Sequence, residues 1–393
     1  MAPFRAWISG LGVVSAAGVG VEETLASFRD GRRSAGPVTL FPTSLRCPVF
    51  EARAFPAEGA ATDHPSRTVR LAMFAIAEAL AAAGNPHRDK GLRIGVCLGT
   101  TVASQLNDLA FYENYRRTAH PPLDAVREFL KANLAEAVAQ ALDVRGPRAT
   151  IVNACSSGTD AIGLGWSWLR SGRCDIVIAG GADELNLVPL CGFHSLGIVS
   201  DSACAPFDLH RSGLNLGEGA GVLVMESEET RRKRGREACL LLAGAGAACD
   251  AHHLTAPHPD GIGIRSAIQA ALQQAETSPG ELAFVNAHGT ATPDNDRVEG
   301  NALGAIFGRE LAVLSTKGYT GHTLGAAGGI EAVFTALGLR ERWVPASAGF
   351  EAADPDIAIT PLRERTALDG GAAMSTSLAF GGNNAAIVIR RAG

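Results

Sequence analysis

The chain has 393 residues, 46% of them apolar and 19% charged, with 35 Lys and Arg against 40 Asp and Glu and 46 glycines. That apolar content supplies a sizeable core and excludes a disordered chain. A net charge of −5 leaves no global basic field for phosphate backbones, so nucleic acid is not a main partner and any basic docking site must be local.

At roughly 100–200 residues per domain, the length suits two or three domains or one large body built from two similar halves. Apolar, strand-like runs alternate with Ala-rich helical stretches at 6–13, 67–84, 92–98, 123–142, 149–154, 156–170 and 176–179, which predicts α/β layers. The runs IVIAGG and AIVIRR lack polar alternation, so they read as central strands covered by helices on both sides. No run matches the roughly 18 apolar residues of a membrane span. The opening MAPFRAWISGLGVVSAAG places Arg5 before an apolar run as a leader does, but Gly10, Gly12, Gly18 and Gly20 fit a short strand and its turns better. The cysteines, Cys47, Cys97, Cys155, Cys174, Cys191, Cys204, Cys239 and Cys249, form no CxxC pair and no disulfide framework, which points to a reducing, cytoplasmic compartment.

After Glu226 comes the charged SEETRRKRGREA, and then LLLAGAGAACD resembles a restart of the opening AWISGLGVVSA, a sign of internal duplication. The basic run Arg231, Arg232, Lys233, Arg234 and Arg236 reads first as a solvated helix end at the junction, and second as a docking site for an acidic partner.

Four segments can carry chemistry. In TIVNACSSGTDAIGLGWSWLRSG, Cys155 sits at a turn between a strand and a helix, where small neighbours admit a substrate and the helix N-terminus stabilises thiolate. A buried structural thiol is the bland alternative. In ELAFVNAHGTATPDNDRVEG, His288 stands at a strand end, with Thr290 and Thr292 offering hydroxyls to a polar ligand. In VLSTKGYTGHTLGAAGGIEA, Lys317 and His322 flank a glycine loop. Only four lysines occur in the chain, and one in so apolar a segment needs a charge partner, for which Glu331 is the candidate. In STSLAFGGNNAAIVI, Phe380 precedes the glycine turn Gly381–Gly382, which can present backbone N–H groups to an anion. His252, His253 and His258 cluster without completing a metal-ligand set, so no metal is expected.

Taken in order, NACSSG, NAHGTATPDND, STKGYTGHTLGAAGGIEA and AFGGNN resemble the β-ketoacyl-acyl-carrier-protein synthases, and PFDLHRSGLNLGEGAGVLVMES and DAHHLTAPHPDG extend the resemblance over nearly the whole chain. The resemblance implies the thiolase fold, a five-layered αβαβα body of two duplicated halves. Residues 1–236 would carry the nucleophile and 237–393 the two histidines. It implies that Cys155 accepts the acyl group and that His288 and His322 bind the malonyl thioester oxygen and promote loss of carbon dioxide. By the same carry-over Lys317 and Glu331 support the site and the Cys155 and Phe380 N–H groups hold the oxyanion. Phe380, on the Gly381 turn, gates the acyl pocket, and Thr290 and Thr292 touch phosphopantetheine. No tightly bound cofactor is expected, since phosphopantetheine arrives on the acyl carrier protein.

The implied partners are acyl carrier protein loaded with acyl and malonyl groups, and a second subunit, either identical or a related ketosynthase or chain-length factor. Candidate docking residues are Arg32, Arg33, Arg116, Arg117 and the run at Arg231. Asn383 replaces the family's usual threonine after the paired glycines, and residues 101–135 match the fatty-acid enzymes poorly. NACSSGTDAIGLG and GGADELN look more like the ketosynthases of aryl polyene and related type II polyketide pathways. The competing readings are a housekeeping fatty-acid elongation synthase, a chain-length-factor-like subunit, which usually lacks the cysteine, and a biosynthetic thiolase, which needs a second cysteine near the C-terminus.

Overall fold

The computed structural model describes residues 4–55, 64, 66–105 and 109–392. The first half runs β1 (Ala6–Ser15), β2 (Gly18–Val19), α1 (Val21–Asp30), α2 (Arg67–Ala82), β3 (Ile94–Gly99), α3 (Leu109–Thr118), α4 (Asp124–Lys131), α5 (Leu134–Ala141), β4 (Arg148–Ile151), α6 (Ser157–Arg170), β5 (Ile176–Asp183), α7 (Leu187–Ser195), β6 (Gly219–Glu226) and α8 (Glu228–Lys233). The second half runs β7 (Leu240–Cys249), α9 (Ile262–Ala275), β8 (Leu282–Asn286), α10 (Pro293–Phe307), β9 (Ala312–Leu314), α11 (Lys317–Thr320), α12 (Ala327–Glu341), the small pair β10 (Trp343–Val344) and β11 (Thr366–Ala367), β12 (Ala372–Ala379) and β13 (Asn383–Arg391).

From each outer edge inward, the strand orders are β4-β3-β5-β6-β1 and β9-β8-β12-β13-β7. In both sets the two outer pairings are parallel and the two inner ones antiparallel. The duplication hinted at by the glycine-spaced restart is therefore a duplication of topology. The two sets meet where Ala6, Trp7 and Ile8 pair with Leu242, Leu241 and Leu240.

The core follows from the strand sequences. Along β5, Ile176 and Ile178 face one apolar core with α2 while Val177 and Ala179 face another with α6. Along β13, Ile387 and Ile389 join the central core and Ala386 and Val388 the core under α9. Strands with both faces covered have no need of polar alternation, which is why IVIAGG and AIVIRR read as continuous apolar runs. α12 packs on β5 and β6 from one half and β12 and β13 from the other, so α6 and α12 form the middle layer of an αβαβα stack. All of 327–339 in α12 is buried.

One expected element divides. The stretch 123–142 is two helices, because Ala132 is extended and the Asn133 side chain accepts the Glu136 N–H to start α5 afresh. Residues 106–108 of the poorly matching 101–135 region lie outside the described residues.

The middle layer depends on backbone-to-backbone contact. A Cβ on Gly158 would lie 2.6 Å from the Gly329 nitrogen, and one on Gly328 would lie 2.0 Å from the Thr159 Oγ1. Gly158→Ala should cost about 1–3 kcal/mol through overpacking. In contrast Gly192, exposed within α7 with nothing near its Cβ position, should gain up to about 1 kcal/mol as Gly192→Ala. Thermal melts should move the two variants in opposite directions.

Candidate functional site

β4 ends at Ile151, and the chain then turns through Ala154, whose φ of 48° places a non-glycine residue in the left-handed region. The cost of that conformation, on the order of 1 kcal/mol, is offset locally. The Ser157 hydroxyl donates to the Ala154 carbonyl at 2.6 Å and accepts the Asn153 N–H at 2.8 Å. The elbow places Cys155 just before α6, buried, with its Sγ 3.0 Å from the His322 Nε2 and bonded by the Phe380 N–H.

His322 is held by its own backbone. Its N–H donates to the Asn215 carbonyl at 2.7 Å and its carbonyl accepts from Gly217 at 3.0 Å. The Leu324 N–H donates to His322 Nδ1 at 3.2 Å, so the hydrogen-bond network assigns the ring proton to Nε2, facing Cys155. His288 follows β8, and the Glu299 carboxylate grips that turn by accepting the N–H groups of His288 and Gly289, each at 2.8 Å, and the Thr376 hydroxyl at 2.7 Å.

The Lys317 ammonium donates to His288 Nδ1 at 3.0 Å, to the His288 carbonyl at 2.7 Å, and to Glu331 Oε1. All three of its N–H groups are thereby used, and the proton of His288 is likewise assigned to Nε2. The two imidazoles meet edge to face, with centroids 5.3 Å apart.

Burial pushes both histidines well below their ordinary pKa, and Lys317 pushes them the same way, so both are neutral donors. Glu331 is pushed up to about 7 by burial, with Lys317 pulling it back. For Cys155 the expected thiolate stabilisation is overridden. Burial pushes the thiol up to about 11, against the downward pull of Lys317 and the Phe380 N–H, and the resting sulfur is a thiol.

Cys155, His288 and His322 line one cavity of about 240 Å³. Thr290 and Thr292 lie on its wall with their hydroxyls 2.8 Å apart, and Leu196, Ile198 and Leu214 supply apolar surface. Phe380 stacks on Phe193 of α7, with centroids 5.6 Å apart and planes within 20°. Gly381 and Gly382 both have positive φ, 84° and 80°, which lets the turn reverse directly after Phe380. The Asn383 amide reaches back to the Phe380 carbonyl at 3.5 Å. The structure thus brings together Cys155, His288, Lys317, His322, Glu331, Phe380, Gly381, Thr290 and Thr292. Sequence reasoning missed Phe193 and Glu299, which reach Phe380 and His288 through tertiary contacts.

Other candidates fall outside the site. His253 Nδ1 accepts the N–H groups of Thr255 and Ala256, and His258 Nδ1 that of Asp260, so these rings tie local turns. Among the described residues, no three or more His, Cys, Asp or Glu side chains form a metal-binding group. The basic run is paired at the junction between the halves. Arg231 and Arg232 meet Glu228, Lys233 meets Glu229, Arg234 meets Glu226, and Arg236 meets the Ala82 carbonyl. Arg33 bonds the carbonyls of Gly318 and Cys204 and Arg32 pairs with Asp30, whereas Arg116 and Arg117 lie on the exposed α3.

The family models for the N-terminal and C-terminal domains of β-ketoacyl synthase match residues 5–231 and 240–351. The chain belongs to the β-ketoacyl synthase family. A 3-oxoacyl-[acyl-carrier-protein] synthase 2 of Staphylococcus aureus is 40% identical over 261 residues, covering 64% of this chain and 63% of that protein, so the match spans less than two thirds of the relative's length. A putative polyketide beta-ketoacyl synthase 1 of Streptomyces halstedii is 32% identical over 98% of this chain and 97% of its own. The solved ishigamide ketosynthase/chain length factor superposes with a TM-score of 0.93 at 30% identity, covering 100% of both chains. That solved chain therefore shares the α/β body described above. Among the described residues, no helix is long and apolar enough to cross a membrane.

A thiol held near 11 should be alkylated by iodoacetamide at a rate that keeps rising about tenfold per pH unit through pH 9, instead of levelling near 8.5. Because Lys317 pulls the thiol down, Lys317→Met should slow alkylation further at fixed pH. Following the Cys155 peptide by mass spectrometry separates it from the exposed Cys191, Cys239 and Cys249.

Proposed function

We propose that the chain is a β-ketoacyl-acyl-carrier-protein synthase that condenses a Cys155-bound acyl group with malonyl-acyl-carrier-protein. The observation that carries this reading is the pair of imidazoles that share one cavity with the Cys155 sulfur, each with a donor at its Nδ1 so that the hydrogen-bond network assigns its proton to Nε2.

In the first half of the reaction the Cys155 sulfur attacks the acyl thioester and releases the phosphopantetheine thiol, which takes up the proton that Cys155 loses. In the second half, malonyl enters with its thioester oxygen against His288 and His322. Their N–H groups stabilise the enolate left when carbon dioxide departs. The enolate carbon attacks the acyl-Cys155 thioester, N–H groups of Cys155 and Phe380 hold the tetrahedral oxyanion, and collapse returns the sulfur. Lys317 and Glu331 act by holding His288 and setting the local field. Thr290 and Thr292 bind the phosphopantetheine arm, and Phe380 on its glycine turn gates the acyl pocket. The chemistry uses side chains and backbone alone, with no tightly bound cofactor and no metal.

The partners we propose are an acyl carrier protein and a second subunit, identical or a related chain-length factor. Cys155 beside His322 favours an active ketosynthase over a chain-length-factor-like subunit. Among the described residues, no second cysteine lines the cavity, which disfavours a thiolase. The pathway we favour is aryl polyene or related type II polyketide synthesis over housekeeping fatty-acid elongation, on the strength of NACSSGTDAIGLG and GGADELN. Eight free thiols fit a reducing cytoplasm.

Intact-mass measurement after exposure to a panel of saturated, polyunsaturated and aryl-polyene acyl carrier proteins should show an adduct on the wild type and none on Cys155→Ala. The preferred chain identifies the pathway. His288→Ala or His322→Ala should lower carbon dioxide release from malonyl-acyl-carrier-protein by about 100-fold or more, the scale of losing one preorganised oxyanion donor. Full-rate condensation by Cys155→Ala would overturn the proposal.

A further inference from the structure

Asp183 ends β5, is fully buried, and does not line the cavity. Its carboxylate is nonetheless among the most heavily bonded groups near the site. Oδ1 accepts the Thr100 hydroxyl at 2.5 Å and the Val102 N–H at 2.8 Å. Oδ2 accepts the Thr101 hydroxyl at 2.7 Å, the Thr101 N–H at 2.8 Å and the Gly325 N–H at 2.7 Å. Four of those donors belong to the loop after β3, and the fifth belongs to the turn three residues beyond His322. Burial raises the carboxyl to about 6 while the donors hold it down, so it is largely ionised at neutral pH.

The turn at Gly325 has little freedom. A Cβ there would lie 2.7 Å from the Thr100 Cα and 2.8 Å from Asp183 Oδ2. Leu324 just before it has a φ of 52°, in the left-handed region, and donates the N–H that fixes His322 Nδ1 as an acceptor. The backbone of His322 is held separately by Asn215 and Gly217. Losing the carboxylate would therefore leave the ring in place and release the group that chooses its tautomer.

We propose that Asp183 is a positioning residue for His322: by clamping the Gly325 turn to the Thr100–Val102 loop, it presents the Leu324 N–H that keeps the His322 proton on Nε2. Replacing one carboxylate oxygen by an amide puts a donor against donors, and a buried donor without an acceptor is expensive. With the turn loosened, the ring can carry its proton on Nδ1 and offer Nε2 as an acceptor. A Cys155 thiol tolerates that exchange, since it can donate to Nε2. An enolate oxygen does not, since it needs a donor there.

The kinetic test rests on the proposed synthase reaction, and it compares wild type, Asp183→Asn, the near-isosteric Thr100→Val, His322→Ala and the double variant Asp183→Asn/His322→Ala. Two rates are followed, acylation of Cys155 by acyl carrier protein and carbon dioxide release from malonyl-acyl-carrier-protein. Asp183→Asn should hold acylation within about threefold and lower decarboxylation by about tenfold or more, and Thr100→Val should give the same split with a smaller loss. In the His322→Ala background, Asp183→Asn should cause no further loss of decarboxylation, because the two act through one group. Equal losses in both rates, or additive losses in the double variant, would overturn the proposal and leave Asp183 a scaffold residue. If Asp183→Asn does not fold, Thr100→Val decides by the same split.

A second readout stands apart from the reaction. In 15N spectra of histidine-labelled protein, assigned by His322→Ala, the wild type should show protonated Nε2 and bare Nδ1 on His322, and Asp183→Asn should show a mixture. An unchanged tautomer overturns the role of Asp183 whatever the rates. A wild type that leaves Cys155 unacylated overturns the synthase reading, while the tautomer still decides Asp183.

Discussion

The interaction on which the site depends is the buried ammonium of Lys317. Taking such a charge out of water costs several kcal/mol, and it is tolerated only where every donor is met and a counter-charge lies close. Here the three acceptors are the Glu331 carboxylate, the His288 carbonyl and the His288 ring nitrogen. One group thus joins three pieces of chain: α11, the turn after β8, and the central helix α12. It also sets the electrostatics, since Lys317 lowers both histidines and pulls the Cys155 thiol down against burial.

The duplicated topology explains how residues so far apart in sequence converge. In open α/β sheets, ligands gather at the carboxyl ends of parallel strands. Cys155 follows β4 and Lys317 follows the equivalent β9. Thr100 follows β3 and His288 follows the equivalent β8. Asp183 closes β5, as Ala379 before Phe380 closes β12. Each half brings the same three strand ends to the middle layer, and the glycine contacts between α6 and α12 let the halves approach closely enough for one cavity to see both.

Much of this was legible because strand-end chemistry leaves a local mark. Cys155, His288 and Lys317 each close an apolar run and open onto small or hydroxylated residues, and the scarcity of lysine made Lys317 and Glu331 a pair before any contact was known. What stayed hidden was tertiary. Glu299 bonds the His288 N–H from eleven residues away on α10, and Asp183 bonds the Gly325 N–H across 142 positions, so neither spacing is a motif. The burial that pushes the Cys155 thiol up is tertiary in the same way, whereas the helix N-terminus beside it is visible in the sequence. The pairing of Arg231, Arg232 and Lys233 with Glu228 and Glu229 was legible because those i,i+3 and i,i+4 partners lie within the same helix, whereas the Glu226 partner of Arg234 and the Ala82 partner of Arg236 lie outside it.

The neutrality of the two histidines has a consequence for the proposed reaction. A second positive charge on His288, whose Nδ1 lies 3.0 Å from the Lys317 ammonium, would meet strong like-charge repulsion in a buried site, and Lys317 and burial together keep both imidazoles uncharged. A neutral imidazole N–H is a hydrogen-bond donor but a very weak acid. It can hold the negative charge that develops on a thioester oxygen without handing over its proton. An imidazolium would protonate the enolate and quench the carbon nucleophile, whereas two neutral donors leave the electron pair available for attack on the acyl group at Cys155. The arrangement therefore turns on which ring nitrogen carries each proton. Lys317 settles that for His288 and the Leu324 N–H settles it for His322, which is why the groups that place those two donors matter as much as the imidazoles themselves.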